Sequence, residues 1–151
     1  MYKTVSSDSL HTGIFCASTD AALTAKQRIL VLSDVARGLA YLHKVVHVIH
    51  RDVKSDNVLL DHGCVGRIGD FGIAKCVKDH TNSAASVTAT HLQTQQIVGT
   101  LVYMAPEYKN GEVSTKVDVF ALGLVILEAL TGTCAPICTS HFVPHHTGAC
   151  E

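Results

Sequence analysis

Eight consecutive residues, His50-Arg51-Asp52-Val53-Lys54-Ser55-Asp56-Asn57, set the Asp52 carboxylate between two fixed cations, Arg51 and Lys54, and end on the Asn57 amide. An apolar run, Val58-Leu59-Leu60, follows directly. A solvated loop has no need of that order, and a buried one tolerates it only where each charge has a partner. Side chains of these types can accept a proton, neutralise an anion and offer oxygen to a hard cation. The bland reading is a β-turn with scattered charges. A second acid stands close by, in Asp70-Phe71-Gly72.

The first motif reads H-R-D-x-K-x-x-N and resembles the catalytic loop of eukaryotic-type protein kinases. Three more follow in the order that family uses. Asp70-Phe71-Gly72 matches D-F-G. Gly99-Thr100-Leu101-Val102-Tyr103-Met104-Ala105-Pro106-Glu107 matches G-T-x-x-Y-M-A-P-E, the end of an activation segment. Asp118-Val119-Phe120-Ala121-Leu122-Gly123 resembles the start of the long central helix of the large lobe. Each is weak singly; in this order and spacing they leave little room for coincidence.

The resemblance implies transfer of the ATP γ-phosphate to a protein hydroxyl, a reaction that needs positioning and charge neutralisation more than covalent help. Asp52 would orient the incoming hydroxyl or accept its proton, and Lys54 would steady the γ-phosphate. Thr100 would bond to both, and Arg51 would look toward the activation segment. Asn57 and Asp70 would be the Mg2+ ligands. Lys54, Asn57 and Asp70 would hold ATP, with Leu59 as an apolar floor under the adenine. His50 would face inward as packing, and Phe71 would be a packing switch. Lysine two places after the aspartate marks serine/threonine kinases in this family.

Local chemistry outlines the elements that position these groups. Thr24-Ala25-Lys26-Gln27 is a capping box. Ile29, Leu32, Ala36 and Leu39 recur at helical spacing behind it, which predicts a helix over 25–43. Within it, Val35 to His43 resembles the helix before the catalytic loop in interleukin-receptor-associated (Pelle-type) and receptor-like kinases. Val58-Leu59-Leu60 and Val65-Gly66-Arg67-Ile68 flank Asp61-His62-Gly63, a hairpin pattern. Residues 115–132 read as a buried central helix ended by Gly132. The apolar run from Val119 to Leu127 is too short to span a bilayer. Asp118 would accept backbone amides of the catalytic loop.

The expected fold is mainly α with a small β-hairpin, a partial protein-kinase C-terminal lobe (α+β) with the N-terminal lobe absent. Residues 1–23 read as a post-hinge bend with a short helix or as a disordered lead, residues 24–133 as the partial kinase domain, and residues 134–151 as a tail outside the family pattern. None of the 151 residues forms G-x-G-x-x-G-x-V or a V-A-I-K-type lysine site. Glu107 would ordinarily pair with a downstream arginine, and none is evident. Tail residues Cys134, Cys138, His141, His145, His146 and Cys150 are of zinc-ligand type. An unrelated read-through or spliced tail is the preferred reading there.

A net charge of -1 speaks against a nucleic-acid binder. Six scattered cysteines read as thiols of a cytoplasmic protein. Hydroxyls at Thr81, Ser83, Ser86, Thr88, Thr90 and Thr94 are candidate sites for an upstream kinase, whose phosphate could pair with Arg51. Two other functions fit some of the motifs: a truncated kinase acting as a non-catalytic or dominant-negative binding module, and a small-molecule phosphotransferase. The G-T-x-x-Y-M-A-P-E segment disfavours the second, because it shapes a peptide platform.

Overall fold

A computed structural model describes residues 9–15, 22–77 and 92–134 of the chain. The Thr24 hydroxyl accepts the Gln27 amide, and the Gln27 side chain answers to the Thr24 amide at 2.9 Å. That reciprocal cap starts α2 (Ala25–Tyr41), which buries Val31, Leu32, Val35 and Leu39 along one stripe. Regular α-helix ends two residues earlier than the apolar period suggests. Leu42–Val46 widen into a π-turn closed by His47 at φ 56°, and β1 (Val48–Ile49) leads into the catalytic loop.

The expected hairpin is present as β2 (Val58–Leu60) and β3 (Gly66–Ile68), antiparallel with Leu59 opposite Arg67. Its turn is held by one side chain: Asp61 Oδ1 accepts the Gly63 and Val65 amides at 2.9 and 3.0 Å. Those backbone donors, with Arg67 beside the other oxygen, keep the Asp61 carboxyl below its ordinary range. The hairpin lies directly on α2. A Cβ at Gly66 would stand 2.7 Å from the Val31 carbonyl oxygen, so only glycine permits the approach.

Four further elements rest on non-local contacts. The short helix α1 (Leu10–Phe15) inserts Leu10 and Ile14 into the main core beside Leu23 and Leu60. Strand β4 (Lys75–Cys76) pairs with β1, and β5 (Leu92–Gln93) pairs with β6 (Glu112–Val113). Each of these strands is two residues long, below anything a period-2 pattern can reveal.

After the one-turn α3 (Pro106–Lys109), Ser114 caps α4 (Thr115–Thr131), and Gly132 at φ 66° ends it. The expectation that α4 is buried all round is not met. Val117, Asp118, Ala121, Val125, Glu128 and Ala129 face inward, while Val119, Phe120, Leu127 and Leu130 are exposed on its other side. Among the described residues, α2 and the catalytic loop cover one stripe of this helix, and hydrophobic composition does not say how many sides have neighbours. Arg28 bolts the two long helices together, donating to the Leu23 carbonyl at 3.0 Å and the Ala129 carbonyl at 2.9 Å. No helix among the described residues is long and apolar enough to cross a membrane.

Candidate active site

The catalytic-loop backbone is set from below by one buried acid. Asp118, 1% exposed, accepts the His50 amide on Oδ2 and the Arg51 amide on Oδ1, both at 2.8 Å. His43 meets the same Oδ2 at 2.7 Å, and a carboxylate acceptor puts the His43 proton on Nε2. The paired amides hold the chain in a bend that carries Arg51 to φ 69°, the left-handed region that residues other than glycine rarely enter.

His50 is completely buried and uses both ring nitrogens. Nε2 stands 2.9 Å from the Gly69 carbonyl, which can only accept, so that nitrogen carries the proton. Nδ1 then accepts the Asp52 amide at 3.3 Å. The ring joins Asp52 to the peptide before Asp70. Phe71 packs edge-on against it with centroids 4.9 Å apart, and is itself about half exposed.

Around Asp52 the polar groups form a closed set. Its Oδ1 accepts the Thr100 hydroxyl at 2.7 Å and the Thr100 amide at 2.9 Å. Lys54 Nζ donates to the Thr100 hydroxyl at 3.0 Å and lies 3.2 Å from Asp52 Oδ2. Asn57 Nδ2 donates to the Asp52 carbonyl and to Oδ2, at 2.8 and 3.0 Å. Burial raises the Asp52 carboxyl, but the Thr100 and Lys54 bonds and the Lys54 charge outweigh it, and the group ends below the ordinary carboxylate range. It therefore stays ionised at neutral pH.

With its nitrogen committed to Asp52, Asn57 has Oδ1 left as an acceptor, and its own carbonyl takes the Gly69 amide at 2.8 Å. Asp70 follows at φ 57°, exposed, with Oδ1 3.3 Å from the Gly72 amide. The structure thus brings Asn57 and Asp70 to the two ends of one hairpin, offering oxygen donors suited to a hard cation. Leu59 is half-buried between them and presses its side chain against Gly69, where a Cβ would meet Leu59 Cδ1 at 2.9 Å. Arg51 Nε donates to the Ile73 carbonyl at 2.6 Å, which ties the loop to the segment after Asp70.

The activation-segment end docks by backbone approach. Gly99 sits at φ 120°, and a Cβ there would stand 2.7 Å from the Arg51 carbonyl oxygen. Of the candidate phosphosites, Thr94 is described and donates its hydroxyl to the Gln96 carbonyl at 3.0 Å. Thr81, Ser83, Ser86, Thr88 and Thr90 lie outside the described residues, as do Cys138, His141, His145, His146 and Cys150 of the tail. Among the described residues no cluster of three or more His, Cys, Asp or Glu could hold a metal by itself. Glu107 is half-exposed in the first turn of α3.

Four polar residues at the site have no role in the sequence reading, although Tyr103 stands in the G-T-x-x-Y-M-A-P-E motif: His43, Ser55, Tyr103 and Glu128. Tyr103 donates its hydroxyl to Glu128 Oε1 at 2.7 Å and lies 3.3 Å from the Ser55 hydroxyl. Burial, with Glu128 as bond acceptor and negative neighbour, pushes the Tyr103 phenol well above its ordinary value. One signal could have found Glu128: it is the lone charge in the apolar run from Val119 to Thr131.

The protein kinase domain family matches residues 3–141 of the chain. Among curated proteins it is similar to cysteine-rich receptor-like protein kinase 42 of Arabidopsis thaliana, 41% identical over 136 residues, which covers 88% of this chain and 20% of that protein. Proline-rich receptor-like protein kinase PERK8 of the same plant is 38% identical over 143 residues, covering 93% of this chain and 20% of the relative. Receptor protein kinase WSS1 of Oryza sativa subsp. japonica is 42% identical over 113 residues, 73% of this chain and 11% of the relative. The chain spans about a fifth or less of these relatives. With its catalytic-loop, D-F-G and A-P-E motifs folded around one carboxylate, the chain belongs to the protein kinase domain family.

Proposed function

We propose that these residues form the catalytic half of a serine/threonine protein kinase, which transfers the ATP γ-phosphate to a Ser or Thr hydroxyl of a cytoplasmic protein. One observation carries the reading: the Thr100 hydroxyl donates to Asp52 while accepting from Lys54. That bridge sets an ionised acceptor and a cation at a fixed separation, one for the attacking hydroxyl and one for the phosphate. A carboxyl held below its ordinary range is a weak base, so Asp52 orients the hydroxyl first and takes its proton late. Asn57 Oδ1 and the Asp70 carboxylate would hold magnesium, which supplies neutralisation of phosphate charge when bound. Leu59 would lie under the adenine. Cys64 and Cys76 are thiols, in keeping with a cytoplasmic setting.

No glycine-rich phosphate loop occurs in the 151 residues, and such positioning carries most of this catalysis. The isolated chain is therefore expected to turn over negligibly. The test joins the whole 151-residue chain, core helix α1 included, to a nucleotide-covering lobe and follows transfer to a serine peptide. Asp52→Asn and Asp70→Asn should each cost about 10²–10⁴-fold. Transfer indifferent to both would sink the reading and leave a peptide-binding module. In the same longer protein, alanine at the 81–94 hydroxyls should lower activity if phosphorylation there orders the segment.

A further inference from the structure

Ser55 is a buried polar side chain of the catalytic loop to which the phosphoryl-transfer reading gives no task. Its exposure is 0%, a costly place for a hydroxyl that does nothing. The hydroxyl lies 3.3 Å from the Tyr103 oxygen, 48 residues away in sequence. Tyr103 in turn donates to Glu128, a further 25 residues on and itself 1% exposed. Donor counting sets the direction. The carboxylate can only accept, so the Tyr103 proton is spent on Glu128, and Ser55 must donate to the Tyr103 oxygen. Two buried groups and the half-buried Tyr103 between them, on three separate elements, form one polarised chain: catalytic loop, the turn Leu101–Tyr103, and α4.

The neighbouring contacts show what that chain constrains. Lys54 and Asp52 already bind Thr100 at the near end of the turn. Ser55 adds a second anchor at the far end, three residues on. Between the anchors Leu101 stands 68% exposed, an apolar side chain presented to solvent next in sequence to Thr100. Two anchors fix both position and tilt of a short turn, where one fixes position only.

We infer that Ser55 is a positioning residue for the peptide-docking face, acting through Tyr103 and Glu128 to set the tilt of the Leu101–Met104 segment against the catalytic loop. The meaning of that face rests on the phosphoryl-transfer reading; the relay itself does not. Ser55 touches no reacting atom.

The test uses the whole 151-residue chain with 13C in its tyrosine rings and 15N in its amides, and no nucleotide or peptide. In Ser55→Ala the Tyr103 Cζ resonance, which senses bonds to the phenol oxygen, should shift. Amides of 101–104 should exchange about tenfold faster while those of Val35 and Val125 hold. Ser55→Thr keeps the hydroxyl and should restore both readouts. Tyr103→Phe should reach the same exchange rate, with Ser55→Ala adding nothing further, because one chain is cut once. An unmoved Tyr103 resonance, no rescue by threonine, additive effects, or faster exchange throughout α2 and α4 would each overturn the inference. If Ser55→Ala does not fold, the threonine and phenylalanine variants decide: wild-type exchange in Tyr103→Phe overturns it. None of these readouts needs turnover, so a failed transfer assay sinks the function and not the relay.

Discussion

Thr100 donates both its hydroxyl and its amide to one oxygen of Asp52, at 2.7 and 2.9 Å. Two donors on one oxygen favour the carboxylate over the acid, and with Lys54 beside them they overcome the burial that works the other way. Since the folded state lowers this carboxyl, Asp52 adds stability above its unfolded pKa of about 3.9, and the gain is lost as pH falls through the lower folded value. Thr100→Ala should therefore destabilise at pH 7 and much less at about pH 3. Urea melts of both proteins at the two pH values measure this; an equal difference at both would refute the Asp52 account.

Two glycines, one in the hairpin against α2 and one within α4, predict opposite signs. Gly66→Ala drives a Cβ into the Val31 carbonyl, a backbone atom that cannot swing aside, and should cost about 1–3 kcal/mol. Gly123 lies inside α4, and a Cβ added there would meet nothing within 4 Å, so Gly123→Ala should stabilise by about 0.5–1 kcal/mol. Thermal melts of the pair decide; two losses of similar size would mean that the α4 face is covered.

Two arginines on α2 differ in what they are worth. Arg28 donates to two backbone carbonyls that join the helices, and Arg28→Ala should cost about 1.5–3 kcal/mol. Arg37 pairs with Asp34 at the surface, and Arg37→Ala should cost about 0–1 kcal/mol, less in high salt. Denaturant midpoints with and without about 1 M salt check both expectations.

Asp118→Asn turns one acceptor of the clamp into a donor facing a backbone amide. One of the His50 and Arg51 amides should be left buried and unmade, at about 1–3 kcal/mol. Arg51 would then lose the reason for its left-handed backbone. Hydrogen exchange at these two amides should rise more than at Val125; protection unchanged from wild type would remove Asp118 from its structural role.

Much of the site was legible in the chain itself because the signals are local. A capping box acts across four residues, a hairpin turn across five, and the carboxylate, cation and amide of the catalytic loop sit within eight. Such spacings put groups together whatever the rest of the chain does. The order of the four motifs identified the family for the same reason. Tertiary structure decided what local spacing cannot carry. The two-residue strands β1, β4, β5 and β6 exist only through partners far along the chain. The burial of one side of α4 and exposure of the other depends on which neighbours arrive, and hydrophobicity alone does not name them. Ser55, Tyr103 and Glu128 look unrelated until folding buries Ser55 and Glu128 with the half-buried Tyr103 between them. A buried polar group must then find its partner inside the protein, and that requirement, set by desolvation, links residues that sequence separation keeps apart.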